Sequence, residues 1–153
     1  MVFATVITAM AKGLLAGVAG TAAMTLSSTV EAKIRGRDPS TAPADAAGKV
    51  LGVKPVGAKE QTRFATLVHW GYGTGWGAPR GLLAAARLPA PLANAVHLAL
   101  VWGTETTMLP ALEVAPPINE WEYQEIAIDV FHHLVYAMAT GRAYAALDRA
   151  IAS

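Results

Sequence analysis

Four long apolar segments alternate with shorter polar or proline-rich segments along the chain. A helix needs about 20 apolar residues to cross the hydrocarbon of a bilayer, and each segment can supply that length. The strict alternation of apolar and polar positions that marks a barrel strand is missing from all four segments. The pattern therefore predicts an all-α fold, an integral membrane bundle of four transmembrane helices in a single domain over residues 1–153. The predicted spans are residues 8–32, 64–86, 91–112 and 121–147.

The connections between these segments contain residues that end helices and form turns. The longest connection, from residue 35 to residue 63, is polar, and within it residues 44–51 predict a short amphipathic helix that follows a turn at Pro39. Pro116 belongs to a pair of prolines that ends the third apolar segment. Asn119 follows this pair, and its side chain suits the N-cap of the fourth helix.

The composition indicates that lipid surrounds these helices. Hydrophobic residues make up 54% of the chain and charged residues 15%, whereas a soluble domain carries about 25% charged residues. A chain of 153 residues still exposes much of its surface, so a core alone does not account for this excess of apolar residues.

The net charge of +1 gives no support for nucleic-acid binding. The absence of cysteine excludes disulfides, thiol catalysis and thiolate-bound metals.

Glycines recur at four-residue intervals in two of the predicted spans. Gly73, Gly77 and Gly81 lie on one face of the second span, and Gly13 and Gly17 lie on one face of the first. Small residues at this spacing let helix backbones approach closely within lipid. The pattern predicts tight helix packing. The same faces could instead serve a homo-oligomer or a larger membrane complex, in which this chain would be a structural or accessory subunit.

Ionisable residues inside the apolar segments are the candidates for chemistry, because charge within a membrane is expensive and usually functional. On the fourth helix Glu125, Asp129 and His133 follow one another at four-residue steps, so they share a face. His97 and Glu105 share a face of the third helix in the same way. The predicted site residues are Glu31, His69, Glu105, Glu125, Asp129 and His133.

Three kinds of site fit this set of side chains. Carboxylates and imidazoles that meet inside a bundle can bind a divalent metal ion, and Asp129 and His132 have the acid-x-x-His spacing of di-metal bundles. The same groups can relay protons. Two histidines on neighbouring helices could ligate a b-type haem, as in an electron carrier. A structural interpretation is that these residues only form hydrogen bonds between helices and cap helix ends.

Two further features limit the functional prediction. Basic residues near the ends of the spans are expected to extend their side chains to the membrane interface. They are Arg80, Arg87, Arg142 and Arg149. The sequence contains no phosphate-binding loop, nucleophile elbow or zinc-protease motif, so no enzymatic reaction is predicted.

Both ends of the chain carry a recognisable combination of acidic, proline, histidine and aromatic residues. The residues concerned are Glu31, Arg37 and Pro39 near the end of the first span, and Pro116, Pro117, Glu125, Asp129, Phe131, His133, Leu134, Val135 and Tyr136 in the later part of the chain. With this combination the chain resembles the uncharacterised YagU-like family of small bacterial inner-membrane proteins. The resemblance implies a multi-pass protein of the inner (plasma) membrane and favours His133 over His132. It implies no reaction, cofactor or catalytic residue.

Overall fold

The computed structural model of the protein describes residues 2–38 and 40–152. Within these residues the chain forms five α-helices, one short 3₁₀ helix and no β-strand, which confirms the predicted all-α fold. Pro39, a predicted turn residue that also contributes to the family resemblance, lies outside the described residues. The α-helices are α1 (Val2–Arg35), α2 (Ala42–Leu51), α3 (Ala58–Ala85), α4 (Ala90–Ala111) and α5 (Tyr123–Ala152), and the 3₁₀ helix is Ile118–Glu120.

Local sequence explains where the shorter elements begin and end. Helix α2 carries Pro43 in its first turn, where the fixed φ of proline suits a helix and its missing N–H has no partner to lose. Gly52 ends α2 with a φ of 65°, a left-handed conformation that glycine adopts without steric penalty. Helix α5 starts only after Trp121, which is extended. The prediction that Asn119 caps the fourth helix is therefore wrong, because Asn119 lies within the 3₁₀ helix.

The four long helices pack as antiparallel neighbours. Helix α1 packs against α3 and α5, and α4 packs against α5 and α3. The ion pairs between α1 and α5 fix their relative direction: Lys12 near the start of α1 pairs with Asp148 near the end of α5, and Arg35 at the end of α1 pairs with Glu125 at the start of α5. The bundle therefore has one end near Lys12 and another near Arg35.

The short helix α2 covers part of the end near Arg35. It packs against α3. Its Lys49 ammonium donates hydrogen bonds to the carbonyl oxygens of Leu112 at 2.6 Å and Glu113 at 3.1 Å, just beyond the end of α4. These carbonyls follow the last turn of a helix, where a cation is favourable. Lys49 thus ties the loop after α1 to the loop after α4.

The backbones of α1 and α3 come into contact where both helices lack side chains. A Cβ atom added to Gly77 would collide with the carbonyl oxygen of Gly13 and with the backbone of Gly17. A Cβ atom on Gly71 or Gly75, which point elsewhere, would meet nothing within 4 Å. The four-residue spacing of the glycines thus places a face of α3 that lacks side chains against a face of α1 that also lacks them.

The interior of the bundle contains several polar side chains, whereas much of its surface is apolar. The buried polar residues are Thr21, Arg80, His97, His132, His133 and Thr140. The expectation that Arg80 extends to the membrane interface is wrong, because the helices enclose it and leave it 3% exposed. Among the described helices, α1 is the one whose length and hydropathy qualify it as a membrane span, from Phe3 to Arg35. The four-span arrangement stays a prediction.

Candidate functional site

Three of the six predicted site residues converge between α4 and α5. Glu105 on α4 faces Asp129 and His133 on α5, and one ligand atom from each of the three side chains lies within 4.8 Å of the other two. The closest contact joins His133 Nε2 to Glu105 Oε2 at 2.6 Å. The four-residue step along α5 places Asp129 and His133 on one face, and the antiparallel packing of α4 brings Glu105 to the same level.

Hydrogen bonds behind these side chains fix their orientation. His133 Nδ1 donates to the backbone carbonyl oxygen of Asp129 at 2.9 Å, which leaves Nε2 directed at Glu105. Trp102 Nε1 donates to Asp129 Oδ2 at 2.7 Å. Sequence reasoning missed Trp102, although its position three residues before Glu105 places both side chains on neighbouring positions of one face of α4.

The site is partly shielded rather than sealed. The imidazole of His133 is 6% exposed, whereas the carboxylates of Glu105 and Asp129 are 22% and 24% exposed. Because the imidazole is buried and the two carboxylates are partly exposed, a small ion or a proton can approach the site from the side of the carboxylates. The imidazole is held by the helices, and the carboxylates lie at the edge of the site.

Two other predicted residues, Glu31 and Glu125, lie in a separate cluster at the bundle end near Arg35. Arg35 forms ion pairs with both carboxylates, and Arg37 pairs with Glu31. The hydrogen bond that Arg37 donates to Glu31 raises the pKa of Arg37 above its ordinary value. The oxygens of both carboxylates are thus engaged by guanidinium groups. The structure does not bring Glu31 or Glu125 to the cluster of Glu105, Asp129 and His133.

The remaining histidines each bond to a different group. His69 Nε2 and Thr25 Oγ1 are 2.7 Å apart, and His97 Nε2 donates to the carbonyl oxygen of Trp76 at 2.8 Å. His132 Nδ1 lies 2.9 Å from Ser27 Oγ, and its Nε2 lies 3.7 Å from Glu31. His132 therefore turns away from Asp129, and the acid-x-x-His spacing noted in the sequence does not form a ligand pair. His133, four residues after Asp129, takes that place.

The chemistry of the three converging side chains suits a divalent transition-metal ion. A neutral imidazole and two carboxylates are ligands that zinc, manganese and iron accept. Histidines that bind metals commonly donate their second ring N–H to a backbone carbonyl, as His133 does to Asp129. The two carboxylates would balance the double charge of such an ion. The residues present therefore fit a metal, with Glu105, Asp129 and His133 as its protein ligands.

Comparison with known proteins adds no relative to this picture. No protein-family profile matches the chain, and no curated protein sequence or solved structure matches it.

Proposed function

We propose that this chain is a multi-pass protein of the inner (plasma) membrane in which α1, α3, α4 and α5 all span the bilayer. These helices have 34, 28, 22 and 30 residues, and about 20 suffice to cross the hydrocarbon. Each exposes large apolar side chains, among them Leu15, Leu67, Leu100 and Phe131. Soluble monomers rarely expose extended apolar surface, whereas lipid solvates it. The polar side chains within the interior and the apolar exterior support a membrane bundle.

The topology is testable with reporter fusions. Fusions at Ser40, Ala90 and Pro117 are expected to report alternating sides of the membrane, because one proposed span separates each site from the next along the chain. Both termini are expected to lie on the side reported by Ala90. A protease-accessibility assay on the same fusions provides the control for misfolded reporters. If Ser40 and Ala90 report the same side, α3 does not cross the bilayer and the four-span proposal is wrong.

Within this bundle we infer a site that binds a divalent transition-metal ion through Glu105, Asp129 and His133. The observation that carries the inference is their convergence within 4.8 Å. The hydrogen bond from His133 Nδ1 to the backbone carbonyl oxygen of Asp129 supports it, because it leaves the other ring nitrogen, Nε2, directed at Glu105. Asp129 and His133 are also residues on which the resemblance to the YagU-like family rests, and membership of that family is part of the proposal.

Elemental analysis of the full chain, purified in detergent without chelators, tests the metal site directly. We expect a stoichiometric divalent ion that a strong chelator removes and that returns on incubation with the free metal. Removal should lower the thermal stability of the protein, because a ligand that binds only the folded state stabilises it. A protein that stays metal-free after incubation with zinc, manganese and ferrous iron would overturn the metal site.

Proton transfer is the second candidate function, favoured by the contact between His133 Nε2 and Glu105 Oε2 at 2.6 Å. Such a pair can share and pass a proton without a metal. Metal-free protein in liposomes would then carry a proton flux that Asp129→Asn abolishes.

The accessory-subunit alternative has less support, because the glycine faces that could hold a partner lie against each other within this chain.

A further inference from the structure

Arg80 is a buried cation at the opposite end of the bundle from Arg35, and it does not belong to the metal site. Its Nε donates to Asn94 Oδ1 at 3.0 Å, and its guanidinium carbon lies 5.0 Å from the centre of the Tyr144 ring. The Nη1 atom is buried and has no hydrogen-bond partner. Arginine keeps its charge at any physiological pH, so burial does not neutralise it.

No carboxylate forms an ion pair with Arg80 in the part of the chain that the structure describes. Asp148 is the nearby acidic residue, since both Asp148 and Arg80 lie close to Tyr144. Its carboxylate, 60% exposed, is engaged by Lys12 at 2.9 Å. A buried charge without a counter-ion is strongly destabilising, more so than a buried pair. The fold therefore holds a guanidinium with a free N–H, oriented by Asn94 and Tyr144, and lacks the anion that it needs.

Asn94, which accepts the hydrogen bond from Arg80, is held in place by helix α5. Asn94 packs directly against Gly141 of α5, where any Cβ atom would collide with the amide of Asn94. The hydrogen bond that Asn94 Nδ2 donates among the described residues is a weak one, to Met138 Sδ at 4.0 Å. The Asn94 amide and the Arg80 guanidinium thus both retain donor capacity.

Arg80 and Asn94 lie close to the link between α3 and α4. Arg80 lies five residues before the end of α3 and Asn94 four residues after the start of α4, which places them roughly 6–8 Å from the ends of these two helices at a rise of 1.5 Å per residue. A lipid source for a ligand here rests on the four-span arrangement proposed above, in which this end of the bundle faces the lipid headgroups. A guanidinium offers a fork of N–H groups that matches a phosphate.

We propose that Arg80 and Asn94 form a binding site for a phosphate oxyanion at this end of the bundle. The phosphate comes either from the headgroup of an anionic phospholipid or from free phosphate. It accepts hydrogen bonds from Arg80 Nη1 and Asn94 Nδ2 and supplies the missing negative charge. The site is distinct from the metal site in residues and in ligand charge, so either can exist without the other.

Binding is tested on the full chain in detergent, by native mass spectrometry and by thermal unfolding. The probes are phosphatidylglycerol, phosphatidylcholine with the same acyl chains, and inorganic phosphate compared with chloride at equal ionic strength. We expect phosphatidylglycerol to bind more tightly than phosphatidylcholine if the source is a lipid, and phosphate to stabilise the protein if the source is free. Protein that prefers neither phosphatidylglycerol nor phosphate overturns the proposal.

Variants assign the binding to Arg80. Arg80→Gln is expected to weaken binding roughly tenfold or more, the change expected when a charge-assisted hydrogen bond is lost. Arg80→Lys keeps the positive charge in the bundle but loses the fork of N–H groups of the guanidinium. It therefore tests the site even if Arg80→Gln fails to fold, and the expected loss of binding is smaller. Arg142→Gln, an exposed site on α5 near Tyr144, is the matched control and should bind as the unmodified chain does. Equal binding by Arg80→Lys, Arg142→Gln and the unmodified chain overturns the assignment.

Discussion

His133→Ala and Asp129→Asn are each expected to release the divalent ion from the purified protein. Each change removes one of three protein ligands, and no other described carboxylate or imidazole joins this cluster to replace it. The affinity loss should exceed the roughly 10–100-fold loss that follows removal of a partner behind a metal ligand. Elemental analysis after passage over a chelating resin gives the metal content, and size-exclusion chromatography shows whether the variants remain folded.

The neighbouring residue His132 supplies the matched control. The imidazoles of His132 and His133 are both 6% exposed on the same helix, but His132 faces Ser27 and Glu31 instead of the cluster. His132→Ala should therefore keep its metal, although it also removes a buried imidazole. If both histidine variants lose metal equally, general destabilisation explains the loss and ligation does not. If His133→Ala keeps its metal, the proposed site is wrong.

Trp102→Phe gives a graded version of the same test. The change keeps an aromatic ring on α4 and removes the N–H that donates to Asp129 Oδ2. Since Trp102 orients a ligand without being one, the expected result is weaker binding by roughly 10–100-fold rather than loss of the site. A competition titration with a chromophoric chelator measures this difference. An unchanged affinity would show that the Asp129 carboxylate needs no orienting partner.

The sequence was sufficient to predict the helices, and its six predicted site residues include all three members of the cluster, but the other three lie elsewhere. Apolar segments of spanning length predict helices wherever they occur, and a four-residue step places Asp129 and His133 on one face without further information. That Glu105 joins them depends on the level at which α4 packs against α5, which the pattern within either helix does not specify. Glu31 is a predicted site residue because it is ionisable and lies at the end of the first apolar segment, and Glu125 because it is in register with Asp129 and His133. Arg35 forms ion pairs with both carboxylates.

Burial of Arg80 shows where pattern reasoning fails for a single residue. An arginine near the end of an apolar helix ordinarily reaches toward water. Here Asn94 of α4 accepts a hydrogen bond from it, and the Tyr144 ring of α5 lies 5.0 Å from its guanidinium carbon. Gly141 provides the space that Asn94 occupies. None of these contacts is encoded within α3, so only the packed structure identifies the residue as buried and lacking an anion.

Gly77→Ile is expected to prevent the chain from reaching its folded state, whereas Gly71→Ile should leave folding intact. A side chain at Gly77 would meet the backbones of Gly13 and Gly17, and a backbone cannot move aside as a flexible side chain can. Overpacking a well-packed interior typically lowers the free energy of unfolding by about 1–3 kcal/mol, and a contact between two backbones allows less relief. Gly71 is exposed and faces open space. The measurement is the yield of monodisperse protein in detergent.

Alanine substitutions along the same helix should separate helix propensity from packing. Gly71→Ala adds a methyl group in open space, so it should raise the free energy of unfolding by roughly 0.5–1 kcal/mol through reduced backbone freedom. Gly73→Ala should cost less than Gly77→Ala, because its methyl group meets the side chain of Thr21, which can shift at the cost of its hydrogen bond to the carbonyl oxygen of Gly17, whereas that of Gly77 meets backbone. Thermal unfolding in one detergent ranks the three variants. If Gly77→Ala is as stable as Gly71→Ala, α1 and α3 are not held by contact between their backbones, and the helix packing described for this chain is wrong.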